Sequence, residues 1–558
     1  MQMGFEIETG RQFRHSRKPM SLMGLEHGRK TVDSCTLVIF GASGDLTARK
    51  LIPALFHLHK SGQMPKRWRI IGVARREKSD EAWRAELCAS VEAHSNNPAV
   101  TAGDWDVFEQ HLYYHQGDVT DTSAYAALAA RLQEPTDEAL AKNLVFYLAT
   151  SPTLFGEVVD QLHAAGLLQR KGDDDRYWQR VVVEKPFGQD LQSARALNSR
   201  LIQRARERQI FRIDHYLGKE TVQNILMFRF SNAIFEQLWH RESIEHVQIT
   251  VSEDIGVGGR GGYFEDAGTL RDMVQNHLLQ ILSLVAMEPP ASLEAEAIRS
   301  EKVKLLQSIR SLSPKDVARG QYFAGTINGE ERVGYRQEER VAPESNVETY
   351  VALKLFIDNW RWSGVPFYLR TGKNLPLRAS EVRVQFRPTP NVLFATQAEL
   401  QPNALTLRLQ PDEGIFLRFN GKVPGNSMEI RPVRMHFGYD TEFGAYTPEA
   451  YERLLLETMA GDTTLFIRRD EVETAWEIVD RMNEGRWTHI GDEAYDSYLR
   501  AELRRALDIL GSTGARIVVT TEPYNRRAEK PDGSLYPEDH PERVDTWNEL
   551  LRGVDGVN

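Results

Sequence analysis

The sequence predicts two kinds of sheet in one chain. A doubly wound parallel α/β sheet comes first, and a larger α+β domain follows, its mostly antiparallel sheet backed by helices. Three observations carry this. Between residues 33 and 212 short apolar runs alternate with helical stretches, and that alternation implies parallel βαβ units. After 212 the runs alternate apolar and polar residue by residue, the mark of strands with one covered and one wet face. The chain has 558 residues, enough for two or more domains. The expected divisions are a flexible tail over 1–32, a first domain over 33–212, a second over 213–515 and a polar extension over 516–558.

The elements justify this in order. "TLVIFGASGDLTARKLIPALFHLHKSG" gives a β-branched run, a glycine turn and an apolar-periodic segment, which is a strand–turn–helix start. "WRIIGVAR", "LYYHQGDVTD", "NLVFYLAT" and "WQRVVVEKPFG" continue the alternation. In the second half "IEHVQITVSED", "ETYVALKLFIDN", "EVRVQFRP", "ALTLRLQPDEGIFLRFNGK" and "EIRPVRMHFGYD" carry the period of two. Helices are expected over 268–287, 298–311 and 447–485. The last forty or so residues, rich in Pro, Arg, Glu and Asp, read as loosely ordered.

Bulk composition narrows the function. Hydrophobic residues make up 41% and charged residues 27%, as in ordinary soluble globular proteins. Lys+Arg minus Asp+Glu is 69 − 79 = −10, which argues against nucleic acid or an anionic membrane as partner. A local cationic pocket for a small anion remains compatible with that balance. Cys35 and Cys88 are too few for a disulfide framework and read as free thiols in a reducing compartment. The first thirty residues contain no apolar signal-like stretch. "LLQILSLVAM", broken by Gln280, is far shorter than the roughly 20 residues that span a bilayer. A cytoplasmic enzyme or binding protein is the expectation.

In "IFGASGDL", Gly41 permits a tight turn and Gly44 lets backbone approach a pyrophosphate, with Ser43, Asp45 and Leu46 leading into a helix whose free N–H groups suit phosphate. Two glycines in a βα turn are a weak signal alone; their place at the first strand–helix junction strengthens it. The second strand ends "GVARRE". Arg75 and Arg76 stand where an acid would select NAD, and a guanidinium suits the 2′-phosphate of NADP. Glu77 leaves some NAD use open.

The chemistry is expected further on. "RIDHYLGKE" packs Asp214, His215, Tyr216 and Lys219 into nine residues. If helical, His215 and Lys219 share a face with Tyr216 beside it, either as a phosphate-sized anion site or as a plain exposed pair. His277 lies in the apolar stretch "LRDMVQNHLLQILSLVAM" with Asp272 and Asn276 as polar neighbours. It reads either as a satisfied core histidine or as a base whose tautomer a carboxylate such as Asp214 fixes. Lys185 ends a buried strand in "VVVEKPFG", where ligands of doubly wound sheets sit.

"GASGDL", "EKPFG", "RIDHYLGKE", "GRGGYF", "RDMVQNHLLQ", "VPFYLRTGK" and "QPDEGI" occur in this order over about residues 35–480, and the set resembles the glucose-6-phosphate dehydrogenase family. The resemblance implies a Rossmann-like first domain and a dimer-building second one. It implies metal-free, NADP-dependent oxidation of glucose 6-phosphate at C1 to the phospholactone, the first step of the pentose phosphate pathway, by a homo-dimer or tetramer. It implies His277 as general base and Asp214 as its partner. His215, Tyr216, Lys219 and Lys373 would grip the phosphate. Glu253 and Asp272 would take sugar hydroxyls, and Lys185 would reach both sugar and nicotinamide. Arg378 and Gln410 would add substrate contacts, and Arg75 would meet the 2′-phosphate. Beyond about residue 480 the ending departs from the family pattern, so no second, structural NADP site is carried over.

Overall fold

The computed structural model describes residues 32–94, 102–134, 137–171, 175–312, 314–327, 329–390, 400–443 and 448–483. The expected tail, apart from Val32, and everything from 484 onward, including the polar extension, lie outside these residues. The chain divides into two compact units. One comprises Met1–Thr150, Glu157–Val182 and Tyr451–Asp462; the other comprises Ser151–Gly156, Val183–Ala450 and Thr463–Asn558.

The first unit is built on β1 (Cys35–Phe40), β2 (Trp68–Ala74), β3 (Leu112–Gln116), β4 (Leu144–Leu148) and β5 (Gln179–Glu184), in spatial order β3-β2-β1-β4-β5. β1 runs parallel to β2 and β4, and β2 parallel to β3. Every residue of β1, β2 and β4 is buried, which is why these strands read as largely apolar runs, with Thr36 and Arg69 as buried polar exceptions that bond each other. Gly72 on β2 leaves room for the Trp83 indole, which packs where a Cβ would sit. The order reverses direction between β1 and β4, the place where a doubly wound sheet opens a crevice beyond its strand ends. Helix Ala450–Ala460 also belongs here, its last carbonyls Thr458 and Met459 accepting from Arg180 on β5.

The second unit begins as β5 ends. It holds β6 (Ile210–Ile213), β7 (Ile244–Ser252), β8 (Val317–Gly320), the hairpin β9 (Gly325–Ile327) and β10 (Glu330–Arg332), then β11 (Tyr350–Phe356), β12 (Pro366–Gly372), β13 (Ala379–Phe386), β14 (Ala404–Gln410), β15 (Gly414–Lys422), β16 (Ile430–Gly438) and β17 (Phe466–Ile467). Its large sheet runs β16-β15-β14-β13-β7-β12-β11-β8. All neighbours are antiparallel except β12 and β7, which are parallel. The alternation is literal: Val247, Ile249 and Val251, like Val351, Leu353 and Leu355, are buried while the residues between them are less so. β6 pairs antiparallel with β17 and delivers the chain to Asp214.

All three expected helices differ from expectation, the one over 268–287 at the candidate active site and two elsewhere. The stretch 447–485 is two helices, Ala450–Ala460 and Arg469–Asn483, with β17 between them. Gly461 at φ +83° ends the first, as a left-handed residue after a helix does. The stretch 298–311 is a helix over Ala295–Gln307. No helix among the described residues is long and apolar enough to cross a membrane.

Candidate active site

Asp214 leaves β6 and opens a single 3₁₀ turn, His215–Gly218, by accepting from Tyr216 N at 2.9 Å. Lys219 follows with extended backbone and starts helix Glu220–Ser231. His215 and Lys219 therefore do not share a helical face. The Asp214 cap closes a turn too short for an i,i+4 pair. The turn still gathers the groups. The Lys219 ammonium lies 3.8 Å from the Tyr216 ring centroid, and Tyr216 stacks on His277 at 4.2 Å.

The expected helix over 268–287 is three pieces. Helix Gly261–Thr269 kinks at Gly268 (φ 61°, ψ 176°), a nine-residue π-helix covers Leu270–Leu278, and an α-helix continues over Leu279–Ala286. Asn276 explains part of the departure. Its Oδ1 accepts from His277 N at 2.6 Å and its Nδ2 donates to Arg271 O at 3.2 Å, so a side chain replaces regular ladder bonds. Such widened turns recur at functional sites. Here the turn holds Asp272 and His277, both buried.

His277 Nδ1 lies 2.5 Å from Asp214 Oδ1, and both side chains are 1% exposed. On its other side His277 Nε2 lies 2.9 Å from Lys185 Nζ. An ammonium only donates, so Nε2 is the acceptor and the ring proton sits on Nδ1, facing the carboxylate. Lys185, just beyond β5, spends its other two donors on Asp272 O (3.0 Å) and Oδ1 (3.2 Å). Lys373, at the end of β12 and buried, meets Glu253 Oε2 at 2.6 Å and Asp272 Oδ2 at 3.5 Å. Tyr263 Oη donates to Asp272 Oδ1 at 3.4 Å.

Electrostatics set the protonation states. Burial pushes the His277 imidazole below its ordinary value and Lys185 adds to that, with Asp214 opposing, so the ring is neutral near pH 7. Burial opposes ionisation of Asp214, but His277, His215 and Lys185 outweigh it and hold the carboxyl well below the usual range. Asp272 is held low in the same way, burial being outweighed by Lys185 and Lys373. Burial also pushes His215 well down, with help from His277. Burial and then Arg378 bring Lys219 down to about 8. Lys219 Nζ donates to Gln410 Oε1 at 2.7 Å, and Gln410 Nε2 donates to Ser380 Oγ at 3.0 Å. Arg378 is exposed and lines a cleft of about 530 Å³ with Thr250, Tyr350, Arg370, Glu381 and Arg408.

In the first unit, β1 ends at Gly41 (φ +91°), whose amide and that of Ala42 donate to Val73 O on β2. A Cβ on Gly41 would overlap the Ala149 carbonyl. Gly44 N closes the turn on Gly41 O at 2.9 Å. The next segment starts as a π turn over Thr47–Leu51, with Leu46 half-buried, Ser43 and Asp45 exposed, and Asp45 paired to Arg49. Arg75, Arg76 and Glu77 stand exposed beyond β2. A glycine-tight turn at the switch point and two guanidiniums past the second strand fit a phosphorylated dinucleotide.

The family description "Glucose-6-phosphate dehydrogenase, NAD binding domain" matches residues 38–224, and "Glucose-6-phosphate dehydrogenase, C-terminal domain" matches 226–501. The chain belongs to the glucose-6-phosphate dehydrogenase family. It is similar to glucose-6-phosphate 1-dehydrogenase of Chlamydia muridarum, 45% identical over 84% of this chain and 93% of that one. Against the Bacillus subtilis enzyme it is 43% identical, over 80% and 91%. Among solved structures, a glucose-6-phosphate dehydrogenase in complex with its substrate glucose-6-phosphate superposes with a TM-score of 0.75 at 35% identity, over 82% of this chain and 94% of that one. The Mycobacterium avium structure gives 0.70 at 36%. The chain is thus an oxidoreductase with a nicotinamide-dinucleotide-binding domain.

Within this member of the family, Asp214, His215, Tyr216, His277, Lys185, Asp272, Lys373 and Glu253 form one connected network, and Lys219 joins it over the Tyr216 ring. Arg378 is exposed, and its charge helps burial bring Lys219 down and opposes the rise that burial gives Tyr216. Sequence reasoning missed Tyr263 and Glu348. Glu348 lies 78 residues from Leu270, yet its Oε1 accepts from Leu270 N at 3.0 Å and anchors the start of the π turn. No local pattern signals a contact at that separation. Tyr263 carried a signal, the motif "GRGGYF", without an assigned task.

Proposed function

We propose that this chain oxidises C1 of glucose 6-phosphate to the 6-phospho-lactone with NADP, the entry step of the pentose phosphate pathway. The observation that carries the reading is the line Asp214–His277–Lys185, a neutral imidazole with its proton on the carboxylate side. Its lone pair is on Nε2, where it accepts from Lys185, and Nε2 is the atom that takes the proton from the C1 hydroxyl. That hydroxyl takes the seat Lys185 holds on Nε2, and the displaced ammonium then lies beside the oxygen where negative charge develops. As the O–H bond breaks its electron pair becomes the second C1–O bond, and C1 sheds its hydrogen with both electrons. When bound, the dinucleotide supplies the acceptor for that hydride. Asp214 stabilises the imidazolium left behind. A base suffices for this chemistry, so the reading needs no metal.

Lys219, Tyr216 and His215, with Lys373 and Arg378, are proposed as the phosphate grip, and Glu253 and Asp272 as acceptors for ring hydroxyls. The free thiols Cys35 and Cys88 support a reducing compartment, the cytoplasm. A homo-oligomer, dimer or tetramer, is proposed on the edge strand β16. There Met435 continues the core-facing row Val384–Leu405–Leu417 yet is 60% exposed, a surface that a second copy would cover. Absorbance of reduced nicotinamide with glucose 6-phosphate and NADP tests the activity. Turnover confined to another hexose phosphate would overturn the substrate assignment.

NADP preference rests on Arg75. Arg75→Ala is expected to raise KM for NADP by about 10-fold or more, the worth of a charge-assisted phosphate contact, while KM for NAD stays within about 3-fold. An equal rise for both cofactors would remove the 2′-phosphate role.

A further inference from the structure

The motif "GRGGYF" does something none of the foregoing uses. Gly258–Arg260 makes a 3₁₀ turn and helix Gly261–Thr269 follows. Gly261 presses on the Glu339 carbonyl, where a Cβ would overlap it. Phe264 is buried in a small core with Val257, Tyr335 and Val341. Glu265 accepts from Tyr335 Oη at 2.5 Å and Ser345 Oγ at 2.6 Å. This short helix is therefore held fast from one side. Tyr263 points the other way. It is 39% exposed, and its hydroxyl reaches Asp272 Oδ1.

Two features make that hydroxyl informative. The bonds to Asp272 are all long: Tyr263 at 3.4 Å, Lys185 at 3.2 Å and Lys373 at 3.5 Å. The usual charge-assisted distance is about 2.7–2.9 Å, so the carboxylate is loosely held and has capacity to spare. A phenol that donates to a carboxylate also keeps lone pairs that accept. Nothing in the small core requires the oxygen, because Phe264, not Tyr263, fills it.

We propose that Tyr263 is a specificity-determining residue that, together with Asp272, holds one ring hydroxyl of the sugar phosphate: the hydroxyl donates to the phenol oxygen while the phenol keeps its own proton on Asp272, and so bridges the two. This rests on the glucose 6-phosphate reading. It assigns the exposed face of the site to the choice among hexose phosphates, since a position built to bond a hydroxyl penalises an analogue that lacks it.

The test is Tyr263→Phe against the wild-type chain, with glucose 6-phosphate and its 2-, 3- and 4-deoxy analogues at saturating NADP. On glucose 6-phosphate kcat/KM is expected to fall by roughly 10-fold or more, mostly through KM. With one deoxy analogue the two enzymes should agree within about 2-fold, and with the other two the full gap should persist, which is the signature of a pairwise contact. A gap of equal size on all four sugars would make Tyr263 mere scaffold, and no gap on any would dismiss it. Ratios between sugars do not depend on the folded fraction, so a variant that melts lower still decides. Wild-type failure on glucose 6-phosphate would remove the parent reading and this one together, whereas normal wild-type turnover with a flat ratio would remove Tyr263 alone.

Discussion

Asparagine in place of His277 is expected to lower turnover on glucose 6-phosphate by at least about 10²-fold, the usual contribution of a positioned general base, with KM for the cofactor near normal. The asparagine amide can still donate to Asp214 Oδ1, and Lys185 keeps its two bonds to Asp272, so the surrounding network loses little. What disappears is the lone pair opposite the carboxylate. The companion change Asp214→Asn reaches the same defect from the other end. Its NH₂ would donate to Nδ1, which moves the ring proton onto Nε2 and blocks the base without moving it. The pH profile separates the two states of the ring. Burial holds His277 below its ordinary value, and a base acts when deprotonated. The acid limb of kcat/KM should therefore lie below the usual histidine range, with activity present above it and lost as pH falls through it. Turnover of His277→Asn within a few-fold of wild type would eliminate the assigned base.

How much of this could be read in advance depended on the range of the physics. Most of the longer strands were legible because their cause is local: complete burial gives the largely apolar runs of β1, β2 and β4, and one-sided burial gives the period of two in β7 and β11. β12 was not read as a strand although Phe367 and Leu369 alternate with exposed residues, and β6, β8, β9, β10 and β17, two to four residues long, are too short to show a period. The π turn was not legible, since it depends on what the Asn276 side chain bonds and on Glu348 reaching Leu270. The meeting of Asp214 and His277 required the long-range fold, 63 residues apart in the chain. Residue chemistry offered the pairing as one of two readings of His277, and the resemblance of the motifs implied it, but no spacing in the chain could place the two side chains together. The i,i+4 argument for His215 and Lys219 failed because a capping carboxylate outcompeted helix formation.

Removing the ammonium with Lys219→Ala should raise KM for glucose 6-phosphate by about 10- to 10²-fold, the range for a bond between charged groups, while the binding of free glucose weakens far less. The asymmetry follows from position: Lys219 lies over the Tyr216 ring and on Gln410, away from the Nε2 edge of His277, so its loss weakens the remote handle and spares the base. The pH dependence gives a second handle on the same residue. Burial and Arg378 bring Lys219 down to about 8, and a lysine loses its charge as pH rises through its pKa. The substrate phosphate completes its second ionisation near about pH 6. KM should therefore be lowest between these values and climb on the alkaline side. Lys219→Arg, whose guanidinium stays charged, should flatten that climb even if its geometry costs some affinity. An alkaline climb of unchanged slope in the arginine variant would move the titration to another group. Equal losses of phosphorylated and free sugar in the alanine variant would take the phosphate away from Lys219 altogether.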